Sequence, residues 1–239
     1  MLLTFATIAL VLASTASAHV TMHSVKINGQ DQGEGQGKYI RKPRTNDPLK
    51  DLKSPAIVCN NGGDTPAPSF IKAAAGDKLS FKWYHYEDPN DILDPSHLGA
   101  ILTYIAPYTE GSGTGPIWTK LAQEGLEGGQ WATIKLIANN GYAEVALPKA
   151  LASGKYLIRQ EIIALHQADE PFNKNPVRGV ELYPSCTQIE VTGSGKAVPD
   201  QDFDLNQGYT YDNPGLVVNI FFPEGAPYTP PGPKVWDGK

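Results

Sequence analysis

The sequence lacks the landmarks of most hydrolases, nucleotide binders and metalloproteases: there is no G-x-S-x-G, no P-loop and no H-E-x-x-H. It has no excess of positive charge. Twenty lysines and arginines stand against 25 aspartates and glutamates, a formal net charge of -5, which argues against a general nucleic-acid binder because that role needs a basic face. A neutral or weakly charged partner suits the chain better. The one short basic run, KYIRKPR (38–44), is mixed with proline and reads as a loop. The acidic stretch EDPNDILD (87–94) lacks the spacing and the glycine of an EF-hand and reads as a solvated loop. Carboxylates are plentiful, but nothing selects two across a cleft, as a glycosidase requires. Beyond residue 18 no stretch approaches the ~20 apolar residues of a membrane span. There is no internal repeat and no Asn-x-Ser/Thr sequon, so N-glycosylation is not expected.

The first eighteen residues, MLLTFATIALVLASTASA, carry no charged side chain and end in the small-x-small pattern Ala16-Ser17-Ala18. The run is short and rich in Ala and Ser, so it reads as a signal peptide rather than a transmembrane helix, and the mature, secreted chain then begins at His19. Residues 19–239 suffice for one large domain or two small ones. With no Ser/Thr/Pro linker in sight, they are read as a single domain with no appended carbohydrate-binding module. Cys59 and Cys186 are the only cysteines. In an oxidising compartment an isolated pair reads as one disulfide, the alternative being two buried free thiols.

Helical periodicity is scarce, and short alternating runs dominate instead. VTMHSVKI (20–27), KLSFKWYHY (78–86), GAILTYIA (99–106), WATIKLI (131–137), KYLIRQEIIAL (155–165), CTQIEVTG (186–193) and GLVVNIFF (215–222) are rich in β-branched and aromatic residues. Turn chemistry separates them, as at Asn28-Gly29, Asn61-Gly62 and Asn140-Gly141. The pattern predicts an all-β antiparallel sandwich with long loops, and helix only in short loop segments such as 148–153.

Five histidines carry the most informative chemistry: His19, His23, His85, His97 and His166. Cleavage after Ala18 gives His19 two metal ligands, its imidazole and its α-amine. The amine's unperturbed pKa of about 7.7–8.0 makes proton loss to a metal inexpensive near neutrality. Nitrogen ligands in a tetragonal arrangement suit Cu(II), and one more imidazole completes a planar three-nitrogen site. An amino-terminal histidine is equally just the residue that follows a cleavage point. His97 stands where a polar loop meets a strand, the usual place for a site on a rigid sandwich. His23 lies four residues after His19, on the same side of an extended chain, and is a less favoured ligand. His85 sits in a hydrophobic run as a packed or surface residue.

A second cluster joins RQEIIALH (159–166) to GVELYPSC (179–186). Glu181 and Tyr183 are two apart and point the same way in extended chain, so a histidine, a carboxylate and a phenol can converge. An ordinary strand pair with polar residues outward is the plainer reading.

Taken in order, these segments resemble the fungal lytic polysaccharide monooxygenases of auxiliary activity family 9, formerly glycoside hydrolase family 61. The resemblance runs through the histidine after the leader, YIRKPRTNDPLKDLKSPAIVCN (39–60), SHLGAILTYIAP (96–107), LASGKYLIRQEIIALH with ELYPSCTQIEVTG (151–193), and the closing PGPKVW (231–236). It implies an immunoglobulin-like antiparallel β-sandwich with a flat substrate face around one copper ion per chain. His19 and His97 then form the histidine brace, Tyr183 is the axial tyrosine, and His166 handles the oxygen species beside the metal. Cys59 and Cys186 match the family's disulfide, and Tyr228 the tail-loop aromatic that meets a glucosyl ring. The implied activity is oxidative cleavage of β-1,4-glucan such as cellulose at C1 or C4. It needs an external electron donor and O2 or H2O2 as co-substrate, and the implied enzyme is an extracellular monomer.

One position departs from the family, which has Gln where this chain has Glu181. Glutamine donates and accepts hydrogen bonds, whereas an ionised carboxylate only accepts. Burial raises a carboxyl pKa and a nearby cation lowers it, and the sequence does not weigh the two. The substitution supports a rival reading, a copper- or polysaccharide-binding protein without oxygenase activity. A third reading is a carbohydrate-binding sandwich in which His19 is incidental.

Overall fold

Asn28 and Gly29 both adopt left-handed backbone, with φ of 50° and 84°, the geometry of the tight turn that matches the twist of a two-stranded ribbon. They join strand β1 (Thr21–Ile27) to β2 (Gln30–Glu34) in the computed structural model, which describes residues 19–223 and 225–239. The proposed leader, residues 1–18, lies outside the described residues.

Nine further strands follow: β3 (Ile71–Ala74), β4 (Lys78–Tyr84), β5 (Gly99–Pro107), β6 (Thr119–Glu124), β7 (Leu126–Glu127), β8 (Gln130–Trp131), β9 (Tyr142–Ala146), β10 (Gly154–Ala164) and β11 (Glu181–Thr192). Among the described residues they form a four-stranded sheet, β2-β1-β4-β9, a five-stranded sheet, β3-β11-β10-β5-β6, and the small pair β7-β8. The two large sheets face each other across a core that includes Met22, Val25, Phe81, Trp83, Ile158, Ile162, Tyr183 and Ile189. This is the expected β-sandwich, antiparallel except where β3 runs parallel to β11. Among the described residues no helix is long and apolar enough to cross a membrane.

A second apolar cluster covers the outer face of the five-stranded sheet, where loops carrying Leu52, Ile57, Leu205 and Leu216 pack on Leu102, Leu157 and Leu182. Arg159 and Glu161 point into this side and are both fully buried. Their nitrogen–oxygen distances are 2.7 and 2.8 Å, and the guanidinium also donates to the Ile57 and Val58 carbonyls. The pair therefore fastens the segment beside Cys59, which is disulfide-bonded to Cys186. Arg159 and Glu161 are thus not outward polar residues of a surface strand, and they face the opposite side of the sheet from Tyr183.

Three local expectations change. Residues 132–138 form a helix, α1 (Ala132–Ala138), rather than a strand. Seven residues fit either period, and packing on β5 decides: Ala132, Thr133 and Leu136 are buried, and Thr133 Oγ1 accepts the Gly99 amide at 3.0 Å. Residues 215–222 form no strand. Asn219 Oδ1 accepts the amides of Phe221 and Phe222, and the chain bends there. Residues 148–153 form turns and bridges to the 195–197 segment, not a helix; among the described residues the other helical elements are a single 3-10 turn, Pro55–Ile57, and the short helix α2 (Leu205–Gly208). Conversely, β11 begins at Glu181, five residues before the predicted strand. Pro184 is tolerated because the even-numbered residues around it direct their backbone polar groups away from β10, as the Leu182–Leu49 and Cys186–Arg41 bonds show.

Candidate metal centre

The register of the five-stranded sheet gathers the site. Ala164, near the end of β10, pairs with Gly99 at the start of β5 on one side and with Glu181 at the start of β11 on the other. His97 lies two residues before Gly99 and His166 two residues after Ala164, so three separated segments deliver His97, His166 and Glu181 to one end of the sheet. Their ligand atoms lie within 4.8 Å of one another. Tyr183 joins them because it follows Glu181 by one strand period.

Glu181 Oε2 is the hub. It accepts the Tyr183 hydroxyl at 2.8 Å and lies 3.4 Å from His97 Nε2 and 3.9 Å from His166 Nε2. Oε1 is held by the Lys50 ammonium at 3.1 Å. Burial works to raise the Glu181 pKa, but hydrogen bonds from His97 and Tyr183 and the charges of His166 and Lys50 outweigh it and hold the group at about 2. The metal-free site thus contains a carboxylate. The same neighbourhood acts oppositely on Tyr183, where burial and then the Glu181 charge push the phenol far above its ordinary value. Burial and then the His97 charge lower the pKa of His166, against the pull of Glu181. His166 Nδ1 is buried and has no hydrogen-bond partner among the described residues.

His19 enters from the other sheet, two residues before β1. Its ring centroid is 6.2 Å from that of Tyr183, and that of His97 is 6.4 Å from the same ring. The two imidazoles therefore stand at nearly equal separations from the phenol. Asn46 Nδ2 donates to the His19 carbonyl at 3.2 Å, and Asp47 lies 3.7 Å from its Nδ1. Two imidazoles about a phenol form a nitrogen-rich donor set that suits copper, so the residues present fit the metal that the sequence resemblance implies.

His23 does not join the cluster. Its ring stacks on Tyr84 at 3.5 Å, and Nε2 shares a 2.9 Å hydrogen bond with Thr21. His85 is buried and paired with Asp91 at 2.7 Å. Tyr228 is half-buried. It packs edge-on against Trp131, and its hydroxyl donates to the Gly215 carbonyl at 2.8 Å. The exposed aromatics of that region are Phe221 and Phe222, while Tyr86 is exposed on the His19 side, where it lines one groove with Asn46 and Asp47. The Val218 amide donates to the Ala168 carbonyl at 2.7 Å and so ties the 218–222 segment to the loop after His166. Sequence reading missed Lys50, Asn46 and Gln167, whose Oε1 accepts the Lys50 ammonium at 2.9 Å. Lys50 and Asn46 stand inside the 39–60 segment, but nothing in their spacing marks them as site residues.

Residues 19–228 match the family model Auxiliary Activity family 9 (formerly GH61). The chain is 50% identical over 233 residues to "AA9 family lytic polysaccharide monooxygenase A" of Collariella virescens, covering 95% of this chain and 85% of the relative. It is 43% identical to the protein of the same name from Schizophyllum commune (strain H4-8 / FGSC 9210), over 94% and 92% of the two chains. The solved structure named "CvAA9A" superposes with a TM-score of 0.90 at 50% identity, covering 92% of this chain and 99% of that one.

Proposed function

Because the chain belongs to Auxiliary Activity family 9, whose members are copper-dependent lytic polysaccharide monooxygenases, we propose that His19, His97 and Tyr183 hold its copper. The enzyme acts by oxidative cleavage of cellulose-type β-glucan, and enzymes of this family are extracellular. The observation that supports the residue assignment is the convergence of two imidazoles about one phenol at the end of the sheet. Cutting after Ala18 would add the His19 α-amine as a third nitrogen, and a single domain, 19–239, would remain as a monomer.

When bound, copper supplies the redox chemistry by which an electron donor and O2 or H2O2 bring about hydroxylation at C1 or C4 of a glucosyl unit. The protein's own groups position and protonate. The Glu181 carboxylate orients the Tyr183 hydroxyl by accepting its proton in a hydrogen bond. His166, with Nε2 toward the site, holds a proton at that atom or gives it up. Small displacements of such groups are costly to rate, which suits their placement at a sheet end rather than on a free loop. Phe221 and Phe222 on the His166 side and Tyr86 on the His19 side present exposed rings on which glucosyl units can stack, beside the half-buried Tyr228.

The test compares chains that begin at His19 with chains carrying one extra alanine before it. Calorimetry and electron paramagnetic resonance read the copper site, and oxidised cello-oligosaccharides released with copper and ascorbate read the activity. Tight copper binding by the processed chain alone supports the assignment. Equal affinity in both removes the α-amine from it.

A further inference from the structure

We propose that Lys50 is a positioning residue of this site: its ammonium clamps one oxygen of Glu181 and offsets its charge, so that a carboxylate can stand beside the metal ligands. The inference rests on the reading of His19, His97 and Tyr183 as copper ligands.

The clamp is built by backbone pairing. Leu49 and Leu182 exchange both backbone hydrogen bonds, at 2.9 and 3.0 Å, in an isolated bridge on the edge of β11. The residue after Leu49 thereby lies beside the residue before Leu182. The Lys50 ammonium reaches Glu181 Oε1 at 3.1 Å and Gln167 Oε1 at 2.9 Å. These two acceptors belong to different halves of the site, since Gln167 follows His166 and Glu181 precedes Tyr183 by two. One ammonium thus ties the histidine loop to the strand that carries the phenol. The two carboxylate oxygens divide the work: Oε1 goes to Lys50, and Oε2 is left for the Tyr183 hydroxyl and the faces of His97 and His166.

The pair is largely shielded, with 19% of the Lys50 side chain and 7% of the Glu181 side chain exposed, so salt and water screen it weakly. A carboxylate at that depth without a cation would be costly, whereas a carboxamide there would need none. It follows that the influence of Lys50 on the metal site acts through the charge at position 181. A purely structural lysine, serving only to brace Gln167, would not show that dependence.

The experiment is a double-mutant cycle on the mature protein, with Lys50→Met, and Lys50→Gln as a second variant that keeps polarity, each made with and without Glu181→Gln. Urea denaturation of the metal-free proteins reads stability. Calorimetric Cu(II) affinity and the Cu(II) electron paramagnetic resonance spectrum read the site. Alone, either Lys50 substitution should lower the unfolding midpoint, tighten Cu(II) binding on the order of tenfold because the unclamped Glu181 Oε1 is free to turn toward the metal ligands, and shift the copper hyperfine coupling. Combined with Glu181→Gln, the same substitution should change copper affinity by less than about twofold, and Lys50→Arg should restore the native spectrum. A Lys50 effect of equal size with and without Glu181→Gln overturns the proposal, as does an unchanged copper spectrum in the single variants. If the unaltered protein binds no copper tightly, the ligand assignment fails by itself, and coupling in the denaturation cycle alone then decides whether Lys50 acts through Glu181.

Discussion

Tyr183 and Glu181 stand two residues apart on one face of β11, and the phenol donates to the carboxylate at 2.8 Å. The bond makes the two groups one unit: whatever moves the carboxylate moves the hydroxyl that the copper assignment places on the metal. Tyr183→Phe removes that donor. A hydrogen bond to a charged group contributes about 1.5–3 kcal/mol, so metal-free Tyr183→Phe should lose stability of that order at pH 7. Its acid limb should also change. The folded pKa of Glu181, about 2, lies below the ordinary 4.5, so its contribution is present above pH 4.5 and is lost as pH falls toward 2. In the variant that window should narrow from its lower end. Denaturation midpoints between pH 2.5 and 7 measure both effects.

His97 and His166 are neighbours, with ring centroids 4.1 Å apart, yet they should respond differently to removal. His97→Ala deletes an assigned ligand and should weaken copper binding by more than about 100-fold. His166→Ala removes a supporting group and should cost roughly 10–100-fold in affinity or in rate. Calorimetric titration beside a glucan-cleavage assay separates the two, and a reversed order would exchange their roles.

Phe221 and Phe222 are exposed, whereas Tyr228 is packed and hydrogen-bonded. Replacing both phenylalanines by alanine should weaken adsorption to cellulose on the order of tenfold, since one aromatic contact contributes about 0.5–1.5 kcal/mol. Tyr228→Phe should leave adsorption unchanged and lower only thermal stability. Binding isotherms on microcrystalline cellulose give the comparison.

His23 supplies a pH dependence away from the metal cluster. Burial first, with help from the Lys82 charge, lowers its pKa to about 4 from 6.5, despite an opposing hydrogen bond at Tyr84. The folded chain therefore binds fewer protons than the unfolded chain between those values, and stability should fall as pH drops from 6.5 to 4. Allowing for partial solvent screening, the loss should be roughly 1–2 kcal/mol. His23→Gln should flatten that part of the stability profile.

The buried Arg159–Glu161 pair tests whether the two faces of the sheet are independent. Glu161→Ala leaves the guanidinium unpaired and should cost about 3–5 kcal/mol. Copper affinity of the folded fraction should be unchanged, because Glu161 faces the outer cluster with Leu157 and Leu182 while Tyr183 faces the inter-sheet core. A chemical denaturation series and one titration suffice.

Much of this molecule could be read from local pattern alone. Alternation and β-branching marked the core strands, the Asn28-Gly29 pair marked a turn, and the order of segments around His19, His97, His166 and Tyr183 marked the family. These signals are short-range, carried by neighbouring residues and backbone preference. Position 181 was ambiguous in sequence, because the sign of its pKa shift depends on what surrounds it. Only the tertiary structure put Lys50, 131 positions earlier in the chain, against its carboxylate. The same holds for 131–137, where seven residues fitted two periods until Thr133 docked on Gly99, and for Tyr228, whose ring meets Trp131 edge-on. Chain chemistry decided which groups are available. Long-range packing decided which of them meet, because burial, charge pairing and ring exposure depend on residues distant in sequence and adjacent only after folding.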